Sequence, residues 1–218
     1  MKRILILCEG QTEETFVTRI LAPPHLLRFD KVITPTGLVT KKVKSGQEFQ
    51  GGVTSYARVR RDVYSLLRDS NAVCITTMLD YYGLPPDFPG KATLSATTPY
   101  DRVAHLEKAF AEDIDHPRFR PYLMLHEFEA LLFVQPSAIP TALSRGPADA
   151  SFKNIGQFDS PEEINEGEKT HPAARIMQVL PGYRKALHGP LIAERIGLSN
   201  LRARCPHFAA WLNYLEAL

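Results

Sequence analysis

The chain alternates short, wholly apolar blocks with longer stretches in which apolar residues recur at helical spacing. Residues 3–8 (RILILC) are a continuous apolar run that stops at Glu9-Gly10, which predicts a strand buried on both faces. Thr12 is the expected N-cap of a helix running to about Leu21 and stopped by Pro23-Pro24. Val32-Ile33 opens a short second strand, and residues 40–52 (TKKVKSGQEFQGG) read as a basic, glycine-rich loop. In residues 55–69, Val59, Val63, Leu66 and Leu67 fall on one helical face with arginines on the others. Residues 72–79 (AVCITTML) give the clearest strand and end at Asp80. A proline-rich loop comes next, then a helix over about 100–114 with Val103, Leu106 and Phe110 inward. Residues 121–125 (PYLML) predict another short strand, and HEFEALLF starts a helix at its end.

Strand and helix patterns alternate over residues 1–135, the mark of an α/β fold with a parallel sheet flanked by helices. From 160 onward short helices are separated by Pro and Gly. The expected organisation is an α/β core, 1–135, with a helical C-terminal lobe, 136–218.

Composition narrows this modestly. Hydrophobic residues are 44% and charged residues 23% of 218, ordinary for a globular chain, so wholesale disorder and a fibrous repeat are excluded. The net charge of +2 is too small to mark a nucleic-acid coat, but its distribution is uneven. Residues 1–61 hold eleven Lys/Arg against five Asp/Glu, and residues 101–169 hold seven against thirteen. Either this is surface decoration, or metal-binding carboxylates sit near a phosphate-attracting surface. Cys8, Cys74 and Cys205 are odd in number and widely spaced, as expected of buried free thiols in a reducing compartment. The apolar run before Glu9 is too short for a signal-peptide core or a membrane span. A cytoplasmic protein without membrane association is expected.

In a parallel α/β sheet, side chains just past the carboxyl ends of the strands face a common crevice. Glu9 comes after the first strand, Asp80 after the third, and Glu127 with Glu129 after the last. Glu13 lies one helical turn beyond Glu9. Carboxylates gathered in one place repel unless protonated or neutralised by a cation, and magnesium binds through one or two carboxylates plus water and phosphate. The alternative for each is ordinary: Glu13 favouring a helix's positive end, Asp80 holding a turn, Glu129 solvated.

Three segments carry a resemblance: CEGQTEETF (Cys8 to Phe16), MLDYYGLP (Met78 to Pro85) and LHEFEALLF (Leu125 to Phe133). They resemble the signature blocks of a bacterial family of unknown function related to Toprim domains, which occur in topoisomerases, primases and the overcoming-lysogenization-defect (OLD) nucleases. SPEEIN, THPAARI and CPHFAAWL in the C-terminal part extend the likeness over nearly the whole chain. The resemblance implies a Toprim-like sheet and a magnesium- or manganese-dependent nuclease acting on DNA or structured RNA, including tRNA. It implies Glu9 as ligand or general acid/base and Asp80 as the primary ligand. The second aspartate of a Toprim Asp-x-Asp pair is Tyr82 here, so Glu127 or Glu129 would have to supply the missing ligand. His126 is the candidate proton carrier, its pKa lying near 6.5 when unperturbed; the alternative is a histidine hydrogen-bonded at a strand end. Relatives also imply a place in phage defence beside an ABC- or SMC-like ATPase, since no nucleotide-binding loop occurs in this chain. The reading from another class is a catalytically weak subunit that docks to such an ATPase.

Lys41, Lys42, Lys44, Arg58, Arg60 and Arg61 are the candidate nucleic-acid contacts, with Gly51-Gly52 opening a helix whose free N–H groups suit a phosphate; the alternative is a solvated helix face. Lys169, Arg175 and Tyr183-Arg184-Lys185 are further basic candidates. Ser160 and Glu163 match a capping box, and His207 and Trp211 match helix packing. The sequence holds no Walker loop, dinucleotide fingerprint, nucleophile elbow or zinc-deaminase motif.

Overall fold

A computed structural model describes residues 1–38, 53, 55–141, 159–164, 167 and 169–218. Its centre is a parallel sheet of β1 (Lys2–Cys8), β2 (Lys31–Gly37), β3 (Ala72–Asp80), β4 (Phe119–Arg120) and β5 (Leu123–Met124). The order is β2-β1-β3-β4, and β5 pairs with the far end of β3. The expected α/β fold with a parallel sheet flanked by helices is therefore present.

β1 and β3 are apolar on both faces because both faces are covered. Ile4, Ile6, Cys8, Cys74 and Met78 enter one hydrophobic cluster, while Leu5, Leu7, Ile75 and Leu79 enter the other. The second cluster is closed by α3 (Tyr56–Leu67) and α4 (Pro99–Ile114), whose Val59, Val63, Val103, Leu106 and Phe110 are fully buried. Thr98 caps α4 by accepting from the Asp101 N–H at 3.1 Å.

The opposite cluster is larger. It joins the first helix to α5 (Ala138–Thr141), α7 (Lys185–Ile196), α8 (Leu198–Arg204) and α9 (Pro206–Ala217), together with Ile176 of α6 (Pro172–Val179). Trp211 of α9 stacks on Tyr122 at 4.3 Å and donates its indole N–H to Thr76 on β3 at 3.0 Å. The C-terminal helices are thus fastened to the sheet itself.

Four local expectations are corrected. The first helix starts from Gly10, not Thr12: the Gly10 N–H donates to Glu13 at 2.9 Å, the return arm of a capping box. It also passes the prolines. α1 (Gln11–Phe16) widens into a π turn, Val17–Leu21, and continues as α2 (Ala22–Phe29). A proline inside an α-helix lacks an N–H and clashes with the carbonyl four residues back. Here the Ala22 N–H reaches back five residues to the Val17 carbonyl, and the prolines follow in the first turn of α2, where a missing N–H costs least. The strand expected at 121–125 is split at Pro121-Tyr122. There the Thr77 hydroxyl replaces the ladder, accepting from the Tyr122 N–H at 3.0 Å and donating to its carbonyl at 2.8 Å. The helix expected from HEFEALLF is a 3-10 helix, Phe128–Val134.

Candidate carboxylate site at the strand ends

β1 has β2 on one side and, after α3, β3 on the other, so the carboxyl ends of β1 and β3 form the switch point of this sheet. Glu9 is the first residue after β1 and Asp80 the last of β3. The Asp80 N–H donates to Glu9 Oε2 at 2.9 Å, and the Phe128 N–H donates to Asp80 Oδ1 at 3.0 Å. A chain of backbone donors therefore links β1, β3 and the segment after β5. Gly83 closes the turn after β3 by donating to the Asp80 carbonyl at 3.2 Å, and a Cβ there would stand 3.3 Å from Glu9 Oε1.

Glu127 and Glu129 are 3% and 1% exposed, and Lys185, at the start of α7, lies between them. Its ammonium is 2.9 Å from Glu127 and 3.4 Å from Glu129. Glu127 also accepts from His171 Nδ1 at 2.7 Å and the Ala173 N–H at 2.6 Å, while Glu129 accepts from the Tyr183 hydroxyl at 3.2 Å. α7 comes close enough because Gly189 faces α1: a Cβ there would meet Phe128 at 3.1 Å and Thr12 at 3.3 Å.

The two halves of the cluster differ electrostatically. Burial raises the Asp80 carboxyl well above its ordinary range, and Glu9, Glu13 and Glu129 push it further. Burial, then the charge of Glu9, lifts Glu13 to about 8. Glu9 is raised by burial against the pull of the Asp80 N–H and Lys185. At Glu127 burial alone would raise the pKa, but Lys185, the Ala173 N–H and His171 outweigh it and the net shift is downward. Burial keeps Glu129 raised although Lys185 draws it down. Lys185 is raised: burial would lower it, and Glu129 and Glu127 prevail. Glu127 is thus compensated by Lys185, whereas Glu9, Glu13 and Asp80 have no cation in contact among the described residues.

All five candidate carboxylates converge on the strand ends. His126 is buried, adopts the left-handed region at φ 63°, and packs edge-on to Tyr81 at 6.3 Å. Tyr82 is exposed and stacks on His171 at 5.3 Å. Lys185, His171 and Tyr183 complete the site. In the sequence Lys185 is legible only as one more basic residue, because its partners lie more than fifty positions away.

The basic candidates are spread. Lys41, Lys42, Lys44 and Gly51-Gly52 lie outside the described residues. Arg60 lies 3.0 Å from Asp113 and 5.0 Å from the Tyr64 ring centre, and Arg61 lies 3.1 Å from Asp62. Arg58 is half-buried on α3. The first N–H of α3, that of Tyr56, donates to the Asp87 carboxylate at 3.2 Å, so that helix start already holds an anion.

The free oxygens of the cluster suit a hard cation. Glu9 Oε1, Glu13 Oε1 and Asp80 Oδ2 have no hydrogen bond among the described residues, while each sister oxygen is fixed by a backbone N–H. No group of three His, Cys, Asp or Glu among the described residues is already drawn together as a chelate. Magnesium does not require one, because it takes one or two carboxylates and fills its octahedron with water and phosphate. The residues fit such an ion.

Residues 8–216 match the model of one protein family, described as Domain of unknown function (DUF4276). No curated protein and no solved structure shows significant similarity to the chain. Among the described residues no helix is long and apolar enough to cross a membrane.

Proposed function

The chain belongs to the DUF4276 family, and within that frame we propose that it is a magnesium-dependent, Toprim-like nuclease that hydrolyses phosphodiesters of DNA or RNA. The observation that carries the reading is the half-tethered carboxylate group at the switch point: Glu9, Glu13 and Asp80 each have one oxygen fixed and one unengaged among the described residues. Such a group is electrostatically incomplete, and a divalent ion completes it. Glu9 and Asp80 would hold the ion and Glu13 would lie behind them. The ion would polarise a phosphoryl oxygen and lower the pKa of an attacking water.

The remaining work falls to the protein. Lys185 offers a half-exposed ammonium at the same rim, a counter-charge for a phosphate or for negative charge developing on it. Glu127 and Glu129 hold that ammonium in place, which favours a supporting role for them over ligation. His171, oriented through Nδ1 by Glu127, is better placed as proton carrier than the buried His126. Arg58, Arg60 and Arg61 remain proposed phosphate contacts; each would have to exchange present interactions, Asp113 for Arg60 and Asp62 for Arg61, for phosphate. An ABC- or SMC-like ATPase partner and a role in phage defence belong to the same proposal.

Tyr82 favours a second reading, a docking subunit with little catalysis of its own. Metal-dependent cleavage of plasmid, single strands and tRNA by the purified chain separates the two. Cleavage lost on Asp80→Asn supports the nuclease; no cleavage of any substrate favours the docking subunit.

A further inference from the structure

Tyr82 stands where a second metal-binding aspartate would, yet it is no mere filler of that place. It is the third residue of the turn that begins at Asp80, and its N–H is fixed to the His126 carbonyl at 2.9 Å. Its side chain is turned outward: the residue is 45% exposed. One face of the ring lies on the His171 imidazole, with centres 5.3 Å apart and planes at 21°. That imidazole is itself locked by the hydrogen bond to buried Glu127 at 2.7 Å. The result is a braced flat ring at the rim of the carboxylate site.

The other exposed aromatics among the described residues are built differently. Tyr64 is tied by its hydroxyl to the Ile114 carbonyl at 3.1 Å and lies under Arg60. Phe29 tilts against His25 at the end of α2. Neither adjoins Glu9 or Asp80. A large ring left 45% exposed at the rim of the carboxylate site suits a flat partner. Aromatic platforms of this kind take unpaired bases by stacking, and a base inside a duplex has no free face to offer.

We propose that Tyr82, backed by His171, is the stacking platform for an unpaired nucleobase next to the scissile phosphate, so that the substrate is single-stranded nucleic acid. This rests on the nuclease reading and adds the substrate class to it. Lys185, whose ammonium lies 2.9 Å from the same Glu127, would meet the adjoining phosphate.

The test is equilibrium binding, in magnesium, of a cleavage-resistant phosphorothioate single strand carrying 2-aminopurine, beside its duplex. The wild type should prefer the single strand and quench 2-aminopurine by stacking. Tyr82→Ala should weaken single-strand binding by about five- to 150-fold and abolish the quench, the loss expected for one stacked base. Tyr82→Trp and Tyr82→Phe should retain both, since a π face is needed and a hydroxyl is not. The proposal is overturned if Tyr82→Ala binds and quenches as the wild type does, if duplex is bound as tightly as single strand, or if neither is bound. The nuclease reading fails separately, by the wild type showing no metal-dependent stabilisation, a measurement in which Tyr82→Ala should behave as wild type.

Discussion

The backbone N–H of Asp80 donates to the carboxylate of Glu9 at 2.9 Å, across 71 positions of sequence. This bond fixes the first acid after β1 to the last residue of β3, and it gives Glu9 a structural task separable from its charge. Glu9→Ala should leave a desolvated N–H without an acceptor and cost about 1–3 kcal/mol in urea unfolding. Glu9→Gln keeps an acceptor oxygen and relieves repulsion with Asp80 and Glu13. The metal-free Gln variant should therefore be at least as stable as the wild type, while losing its response to magnesium. Equal losses in both variants would mean that charge and hydrogen bond cannot be separated at this position.

The metal-free protein should lose stability as pH rises from about 4.5 toward 8. Glu13 is raised from its ordinary value to about 8 by burial and by Glu9. Over that window the folded chain keeps the Glu13 proton while the unfolded chain releases it, so the unfolded state is favoured progressively. Below the window both states are protonated and the contribution is complete. Saturating magnesium should flatten the slope, since an ion replaces the protons. Chemical denaturation across this range, with EDTA and with magnesium, measures both slopes. Glu13→Gln should make the metal-free one shallower without removing it, because Asp80, Glu9 and Glu129 are raised as well.

Lys185→Met should expose what the ammonium compensates. Glu127 and Glu129 would face each other while buried, at a cost on the order of 2 kcal/mol, less than for a fully buried pair because the lysine is half exposed. Adding Glu129→Gln to Lys185→Met should recover part of the loss. A double variant no more stable than Lys185→Met alone would show that the two carboxylates do not repel through this gap.

Attachment of α9 to the sheet is testable apart from the site. Trp211→Phe leaves the Thr76 hydroxyl without its indole partner and should cost about 1–3 kcal/mol, and Thr76→Val should strand the indole N–H in turn. The double variant should cost less than the sum of the two, and none of the three should alter the response to magnesium. Strict additivity in a double-mutant cycle would deny the coupling.

How much of this architecture is legible in the sequence depends on which interactions are local. β1 and β3 are readable because strands covered on both faces are apolar over most of their length, with Thr76 and Thr77 of β3 buried through their hydrogen bonds, and α3 and α4 because their buried faces repeat every turn. The acids at the strand ends are readable on the same ground, since parallel topology gathers the residues just past each strand on one rim. The passage of the first helix through Pro23-Pro24 is not readable, because it depends on a π turn that no side-chain pattern announces. Nor is the role of Thr77, which mends the strand that Pro121 interrupts. Glu162 lies inside the Ser160–Glu163 capping pattern, which hides its other role. It is 2% exposed and holds the N–H groups of His207 and Phe208 at 3.0 and 2.9 Å, anchoring the start of α9. Lys185, His171 and Tyr183 reach Glu127 and Glu129 only through tertiary packing, for which charge and spacing give no signal.

The central claim, that Glu9 and Asp80 hold a divalent cation, is tested most directly by thermal unfolding of the purified chain with increasing magnesium or manganese. A ligand that binds only the folded state stabilises it by about 2.7 kcal/mol at a hundredfold excess over its dissociation constant. At roughly 2–4 °C per kcal/mol for a chain of this size, the midpoint should rise by about 5–11 °C. Asp80→Asn should largely abolish the rise. Glu163→Gln, whose residue lies in a short 3-10 turn after Ser160, should leave it intact. A wild-type midpoint that does not move up to millimolar magnesium or manganese would contradict the claim and leave the docking subunit as the better account.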